Sequence, residues 1–271
     1  MNLPIVSVII RTHNRNELLA RALESVHGQT FKDIQIVVIE DGPSLAEKIT
    51  EAFADLNIIY YATGEQIGRV KAANIGLSLA KGKYINFLDD DDFFYPNHVQ
   101  LLVQALEKNP DYDAAHAGAV EIMASYKSLQ PLIMVGHRMT LRYMEAVDHD
   151  NIFFRNFFPI QAVMFKQQLI QRNGGMDESL ELLEDWDLWI KFSLTGQYYF
   201  INEVTSAYIV HYDKQERTRR KTELMKYEKI IQDKYKAIIN SKGLVRPNVL
   251  QRIARKYKRV GFMAMIRDLN S

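Results

Sequence analysis

The first hundred residues alternate between short apolar runs and longer segments in which apolar residues recur every three to four positions. Runs that are apolar at nearly every position are typical of strands buried on both faces of a sheet. The three-to-four spacing is typical of amphipathic helices. The pattern predicts strands at 6–10, 34–39, 58–61 and 83–88, and helices at 17–28, 44–54 and 70–80. Strands that alternate with helices predict a parallel sheet covered on both faces.

The second half of the chain is less regular. Apolar and charged spacing predicts strands at 114–123, 160–165, 198–201 and 207–210, and helices at 182–194, 215–242 and 247–268. The segment 129–156 has no clear period, and we interpret it as irregular and partly mobile.

The charge balance changes near residue 210. From His211 onward there are 17 Lys and Arg against 6 Asp and Glu, whereas the rest of the chain is acidic, although the whole chain has a net charge of only +1. A basic helical segment favours an anionic partner such as a membrane surface, or it is simply a solvated helix face. We therefore predict a main domain over 1–210 and a basic helical C-terminal extension over 211–271.

The composition excludes several classes of site. The chain has 271 residues and no cysteine, so it has no disulfide, no thiolate nucleophile and no cysteine zinc site. We find no basic segment followed by a long apolar stretch at the start, and no apolar run long enough to cross a bilayer. We expect a cytoplasmic protein.

Four adjacent aspartates, Asp89 to Asp92, directly follow the apolar strand 83–88. Neighbouring carboxylates repel one another, so this arrangement is costly without a cation. Mn²⁺ or Mg²⁺ would relieve the repulsion by taking oxygen ligands, and a diphosphate would supply the remaining ligands. The alternative is a solvated acidic turn.

Other polar groups also follow predicted strands or begin helices. Glu40 and Asp41 end the second strand, where a carboxylate can accept hydrogen bonds from a nucleobase or ribose, although Asp-Gly is also a common turn. Arg69 and Lys71 begin a helix, where they would reach a phosphate or would be ordinary surface charge. His211, after the last strand, is either structural or a further metal or diphosphate ligand.

A second acidic group stands at 184–185, shortly after Gly174 and Gly175. Asp185 opens a predicted helix, and a positioned carboxylate can act as a general base toward a hydroxyl. The alternative is helix capping, which would lower the pKa of this carboxyl and make it a poorer base.

Four ordered blocks resemble family 2 of the glycosyltransferases, which have the GT-A fold. The blocks are Val6–Arg15; Gln29–Phe31 with Val37–Gly42; Gly68–Asn74 with Ala80–Asp92; and Gly174–Asp177 with Glu184–Trp189. The resemblance implies an α/β, Rossmann-like, mostly parallel sheet flanked by helices. Its nucleotide-binding half would cover about 1–110 and its acceptor half about 111–210.

The resemblance also implies a function. The enzyme would move a sugar, with inversion and with Mn²⁺ or Mg²⁺, from a nucleoside-diphosphate sugar to a hydroxyl acceptor. UDP is the first nucleotide to expect, and the acceptor would be a glycan, a lipid-linked glycan or a protein. Such an enzyme would serve synthesis of a surface polysaccharide or another glycoconjugate.

Residue roles follow from the same blocks. Asp185 would be the general base and Asp91 would hold the metal, with the order of roles inside Asp89 to Asp92 open by one residue. His211, which lies outside these blocks, would be a further metal ligand because of its position after the last strand. The nucleotide would contact Thr12, Asn14, Glu40, Asp41, Arg69, Asp89 and Asp90. The acceptor or donor-sugar pocket would be formed by Gly174, Gly175, Glu184 and Trp186.

Three alternatives remain open. A catalytically inactive nucleotide-sugar-binding or scaffold protein would be expected to lack either the aspartates or the base. A nucleotidyltransferase is disfavoured because the loop 11–15 has no glycine, and a dinucleotide dehydrogenase because no G-x-G-x-x-G follows the first strand. The acidic body also argues against a nucleic-acid partner.

The basic extension carries two further hypotheses. Its apolar residues near 262–266 stand beside basic residues at 255–259, which suggests peripheral attachment to the inner face of a membrane. A long C-terminal helix would also allow a homodimer.

Overall fold

The computed structural model describes residues 3–247. The predicted helix at 247–268, and the apolar and basic residues near 255–266 that suggested membrane attachment, lie outside the described residues. None of the helices between residues 3 and 247 has the length and hydropathy needed to span a bilayer.

The N-terminal half is a parallel sheet with crossover helices, as the apolar pattern predicts. Its elements are β1 (Val6–Thr12), α1 (Asn16–His27), β2 (Ile34–Glu40), α2 (Glu47–Glu51), β3 (Asn57–Ala62), α3 (Arg69–Leu79) and β4 (Tyr84–Asp89). The strands lie side by side in the order β3-β2-β1-β4, all parallel. Because side chains on both faces of β1 and β2 are buried, nearly every position of these strands is apolar.

The remaining strands extend this sheet beyond β4. The elements are β5 (Phe93–Phe94), α4 (His98–Lys108), β6 (Ala114–Leu129), β7 (Leu132–Arg142), β8 (Val163–Lys166), α5 (Gln168–Asn173), α6 (Glu184–Ser193), β9 (Tyr198–His211), α7 (Lys214–Lys234) and α8 (Lys236–Ser241). The order continues β8-β6-β9-β5, with β7 paired to β6. β8 runs antiparallel to β4 and β6, while β6 and β9 are parallel. The fold class is confirmed, with antiparallel pairs confined to this half.

Several boundaries differ from the sequence interpretation. The first half of the segment 129–156 is structured, because β7 forms a hairpin with the end of β6. β7 is largely exposed and has no buried residue, so it lacks the continuous apolar run of a central strand. The two strands predicted at 198–201 and 207–210 are one strand, β9, and the helix predicted at 44–54 shortens to α2.

The beginning of the basic extension is attached to the sheet domain. Near the end of α7, Ile231 is fully buried. The Tyr235 hydroxyl donates to Asp187 Oδ1 of α6 at 2.8 Å, and Lys234 Nζ lies 2.7 Å from the same oxygen. The helix predicted at 215–242 is thus two helices that meet at Tyr235.

Candidate active site

The carboxyl ends of β1, β2 and β4 bring the predicted polar residues to one edge of the sheet. Thr12 pairs with Glu40 across β1 and β2, and Arg11 pairs with Asp89 across β1 and β4. Parallel strands end on the same side, so the loop after β1, the end of β2 and the aspartates meet there. This edge is the candidate active site.

Two arginines connect the aspartates to the start of α6. Arg11 Nη2 lies 2.5 Å from Asp89 Oδ1, and Arg11 Nη1 lies 3.1 Å from Glu184 Oε1. Arg69 Nη2 lies 2.7 Å from the same Glu184 oxygen and 3.7 Å from Asp89 Oδ2. Burial tends to raise the pKa of Asp89, but Arg11 and Arg69 outweigh it and hold this pKa below its usual value. Asp89 is therefore ionised at neutral pH.

A third arginine faces the next two aspartates. Arg15 Nη2 lies 2.6 Å from Asp90 Oδ1, and its Nη1 lies 3.3 Å from Asp91 Oδ2. The Thr12 hydroxyl donates to Asp90 Oδ2 at 2.7 Å. Burial, followed by the neighbouring Asp91, raises the pKa of Asp90 to about 7 against the opposing effect of Arg15.

The fourth aspartate has a structural partner. Asp92 is buried, and its Oδ1 accepts a hydrogen bond from the backbone N–H of Ile209 in β9 at 3.0 Å. Burial and the neighbouring carboxylates raise its pKa well above the usual value. Asp92 thus fixes the aspartate loop against β9.

The residues predicted to hold a metal fit such an ion only in part. Among residues 3–247, no three His, Asp or Glu side chains form a ready-made metal site. Asp91 is 25% exposed and offers the oxygen ligands that Mn²⁺ and Mg²⁺ accept. His211 is exposed at the end of β9, with its ring centroid 6.0 Å from that of Tyr126. A divalent ion at Asp91 would need further ligands from a bound diphosphate.

Glu40 and Asp41 are buried and already hydrogen-bonded. Glu40 Oε2 accepts from the backbone N–H groups of residues 45 and 46 and from the hydroxyl of Tyr60. The Asp41 carboxylate accepts from the backbone N–H groups of residues 67 and 68. These carboxylates shape the loops after β2 and before α3. Asn14 is exposed and lines a neighbouring cavity of about 370 Å³ together with Arg15 and Gln130.

Asp185 lies in the first turn of α6. Its Oδ1 accepts from the backbone N–H of Trp186 at 2.7 Å, and its Oδ2 accepts from Asn156 Nδ2 at 3.0 Å. Burial, and then the adjacent Glu184, raise the pKa of Asp185 to about 6. Helix capping alone would have lowered this pKa, so burial and the adjacent Glu184 outweigh the effect of the helix N-terminus on Asp185.

The remaining predicted pocket residues have packing roles. Trp186 is 2% exposed and donates its indole N–H to the carbonyl of Ile152, so its ring has no face open to a sugar. A β-carbon at Gly175 would lie 2.5 Å from Asn74 Oδ1 of α3, and Gly174 ends α5 with a φ of +75°. No contact joins either glycine to the aspartates within the part of the chain that the structure describes.

Sequence reasoning did not assign Arg11, Arg15, Asp92 or Asn156. Arg11 lies near the end of β1 and Arg15 in the loop that follows it, and the parallel pairing of β1 with β4 was the signal that placed basic groups opposite the aspartates. Asn156 lies in the segment without a period, so no pattern indicated its contact with Asp185.

A family model described as glycosyl transferase family 2 matches residues 7–166. This chain belongs to that family. An uncharacterized glycosyltransferase of Rickettsia prowazekii is 29% identical over 215 residues, which cover 77% of this chain and 64% of the relative. One from Bacillus subtilis is 24% identical over 206 residues, covering 76% of this chain and 73% of the relative. The chain thus spans about two thirds of the first of these relatives.

Solved structures show the same fold. Staphylococcus aureus TarS 1-349 in complex with UDP superposes with a TM-score of 0.63 at 20% identity, covering 76% of this chain and 60% of TarS. The Pyrobaculum calidifontis mannosyltransferase PcManGT, solved with GDP-Man and Mn²⁺, gives a TM-score of 0.58 at 17% identity, covering 79% and 59%. At these identities the likeness establishes the GT-A fold alone.

Proposed function

We propose that this protein transfers a sugar from a nucleoside-diphosphate sugar to a hydroxyl acceptor, with inversion at the anomeric carbon. Asp185 is the general base. The acceptor oxygen forms a bond to the anomeric carbon while the bond to the diphosphate breaks and its electron pair leaves with the diphosphate. The acceptor proton passes to Asp185. One base and one electrophilic group to stabilise the leaving diphosphate are sufficient for this single displacement.

The observation that carries this proposal is the environment of Asp185. Its raised pKa, about 6, lies near the pH at which a general base works best. Asn156 holds one carboxylate oxygen and the backbone N–H of Trp186 holds the other. The ion pairs of Glu184 with Arg11 and Arg69 bring this carboxylate toward the aspartates of the nucleotide side.

We assign the donor side to the loop after β1 and the aspartates. Asp91 would hold Mn²⁺ or Mg²⁺, and such an ion would screen the charge that builds up on the leaving diphosphate. Arg69, 44% exposed, is placed to meet a phosphate. The structures of TarS with UDP and UDP-GlcNAc, and of PcManGT with GDP-Man and Mn²⁺, support a nucleotide sugar as the donor. UDP is the nucleotide that we expect, in service of a surface polysaccharide or another glycoconjugate.

The experiment is calorimetric titration of UDP, GDP and their sugars, with and without Mn²⁺, into the wild type and Asp91→Ala. We expect one nucleotide to bind in a Mn²⁺-dependent way, with this dependence lost in Asp91→Ala. Asp185→Asn should retain that binding but lose transfer by at least about a hundredfold, the range of general-base catalysis. Binding that survives while the wild type transfers no sugar would favour the inactive binding protein instead.

We further propose that residues 1–210 form the transferase domain and that the basic extension 211–271 attaches it loosely to the inner face of a membrane. The excess of Lys and Arg in the extension supports this attachment. Cosedimentation with anionic vesicles at low salt should be lost at high salt. A full-length chain that fails to bind such vesicles at low salt would contradict the proposal.

A further inference from the structure

Two half-buried tyrosines beside the site take no part in the chemistry proposed above. Tyr143 follows β7 directly, and Tyr208 lies on β9. Their ring centroids are 6.1 Å apart, and the two ring planes are inclined at 48°. Each ring keeps part of its surface accessible, so together they form an aromatic wall rather than a piece of the core.

The Tyr208 side of this wall is joined to the aspartates. The next residue, Ile209, donates its backbone N–H to Asp92 at 3.0 Å. The Tyr208 hydroxyl donates to Glu121 Oε2 at 2.9 Å, and Arg142 Nη2 lies 3.0 Å from Glu121 Oε1. Tyr208 is therefore held beside the metal motif, with one carboxylate and one guanidinium next to its hydroxyl.

The Tyr143 side leads along the chain to the proposed base. Glu145, two residues after Tyr143, forms an ion pair with Arg155, and Asn156 donates to Asp185 Oδ2 at 3.0 Å. Asp185 is near enough to help raise the pKa of the Tyr143 phenol, although burial is the larger cause. The tyrosine pair thus connects the loop that holds the aspartates with the segment that holds the base.

Tyr143 also has a strained backbone. Its φ is +60°, in the left-handed region that residues other than glycine rarely adopt. The next residue, Met144, packs against Gly118 of β6, where a β-carbon would overlap the Met144 sulfur. Strain that the surrounding packing maintains in this way is concentrated at binding and catalytic sites.

We propose that Tyr143 and Tyr208 form the acceptor subsite and bind the pyranose ring of a neutral sugar. The apolar C–H face of the ring would pack on the aromatic wall, and Glu121 and Arg142 would bind its hydroxyls. The charges of Glu121 and Arg142 offset each other, which favours a neutral sugar over an anionic one. This inference rests on the proposed function, because it takes Asp185 to be the base that receives the acceptor proton.

The test is saturation-transfer NMR with the methyl glycosides of glucose, galactose, N-acetylglucosamine and mannose, in the presence of UDP or GDP and Mn²⁺. We expect saturation transfer from the wild-type protein to the ring protons of at least one glycoside. Tyr143→Ala and Tyr208→Ala should each reduce it at least fivefold, whereas Tyr143→Phe should retain most of it. Tyr61→Ala, which removes an exposed tyrosine on β3, should leave it unchanged.

Nucleotide affinity, measured by calorimetry on the same samples, separates this inference from the proposed function. We expect it to change less than twofold in the tyrosine variants. Unchanged saturation transfer in both alanine variants, with circular dichroism like that of the wild type, would overturn the subsite, as would no transfer to any glycoside in the wild type. Saturation transfer to a glycoside in a wild type that binds no nucleotide would overturn the donor assignment and leave the sugar site standing.

Discussion

Replacing Glu184 by Gln should lower the pH at which the enzyme becomes active. Glu184 is adjacent to the proposed base, and its negative charge is the second cause, after burial, of the raised pKa of Asp185. The substitution removes this charge with little change of shape. It also releases Arg69, whose positive charge favours the ionised form of Asp185. Both effects lower the pKa of Asp185.

The structure sets the size of the expected shift. The pKa of Asp185 rises from 3.8 to about 6, with burial as the largest cause and the charge of Glu184 as the second. We therefore expect Glu184→Gln to shift the pKa downward by up to about one unit, equivalent to about 1.4 kcal/mol. In the wild type, kcat/KM should fall about tenfold for each pH unit below about 6, because only ionised Asp185 accepts a proton.

The assay is release of the nucleoside diphosphate, with the donor found by calorimetry, from pH 4.5 to 8.5. The matched control is Glu107→Gln, which removes a half-exposed carboxylate that pairs with Lys83, at the end of β4 opposite to Asp89. The control should leave unchanged the pH below which kcat/KM falls, which is the acid limb of the pH–rate profile. An acid limb that does not move in Glu184→Gln, or that moves equally in Glu107→Gln, would refute the assignment of this limb to Asp185.

Three other predictions concern stability. Asp185→Asn should raise Tm at pH 8 but not at pH 3. The pKa of Asp185 is raised in the folded state, so this carboxyl stabilises the fold below its unfolded pKa and loses that contribution as pH rises through about 6. An equal effect on Tm at both pH values would contradict this reasoning. Gly175→Ala should cost about 1–3 kcal/mol in urea unfolding, because the new methyl group meets Asn74 Oδ1 at 2.5 Å, and a cost below a few tenths would contradict the close contact. Tyr235→Phe should cost about 1 kcal/mol by losing the hydrogen bond to Asp187, whereas an unchanged urea midpoint would mean that α7 is not docked on α6 in solution.

The parallel half of the fold could be predicted from the sequence because its strands are buried on both faces. Burial makes nearly every position of β1, β2 and β4 apolar, and the polar residues that follow them must then share one edge. The hairpin of β6 and β7 could not be predicted in this way. Its outer strand is largely exposed, and its pairing depends on contacts with β6 rather than on a local period.

The candidate site was predictable only where it depends on strand ends. Asp89 and Asp185 were identified because each begins or ends an element with a clear pattern. The residues that set the charge of these two carboxylates could not be identified from the sequence. Arg11, for example, reaches Glu184 across 173 residues of sequence. Asn156 reaches Asp185 from an irregular segment. Such contacts depend on tertiary structure, which a period along the chain does not report.

The charge balance of the site indicates how a metal ion and a nucleotide would enter it. Arg11, Arg15 and Arg69 already face the carboxylates of Asp89 to Asp91 and Glu184, so the repulsion that suggested a cation is relieved in large part by the protein itself. A divalent ion alone therefore has little to gain, and residues 3–247 hold no preformed set of three acidic or histidine ligands for it. A diphosphate brings both negative charge for Arg69 and oxygen ligands for the ion. Nucleotide and metal should thus bind together, with Mn²⁺ alone binding far more weakly than Mn²⁺ in the presence of the nucleotide.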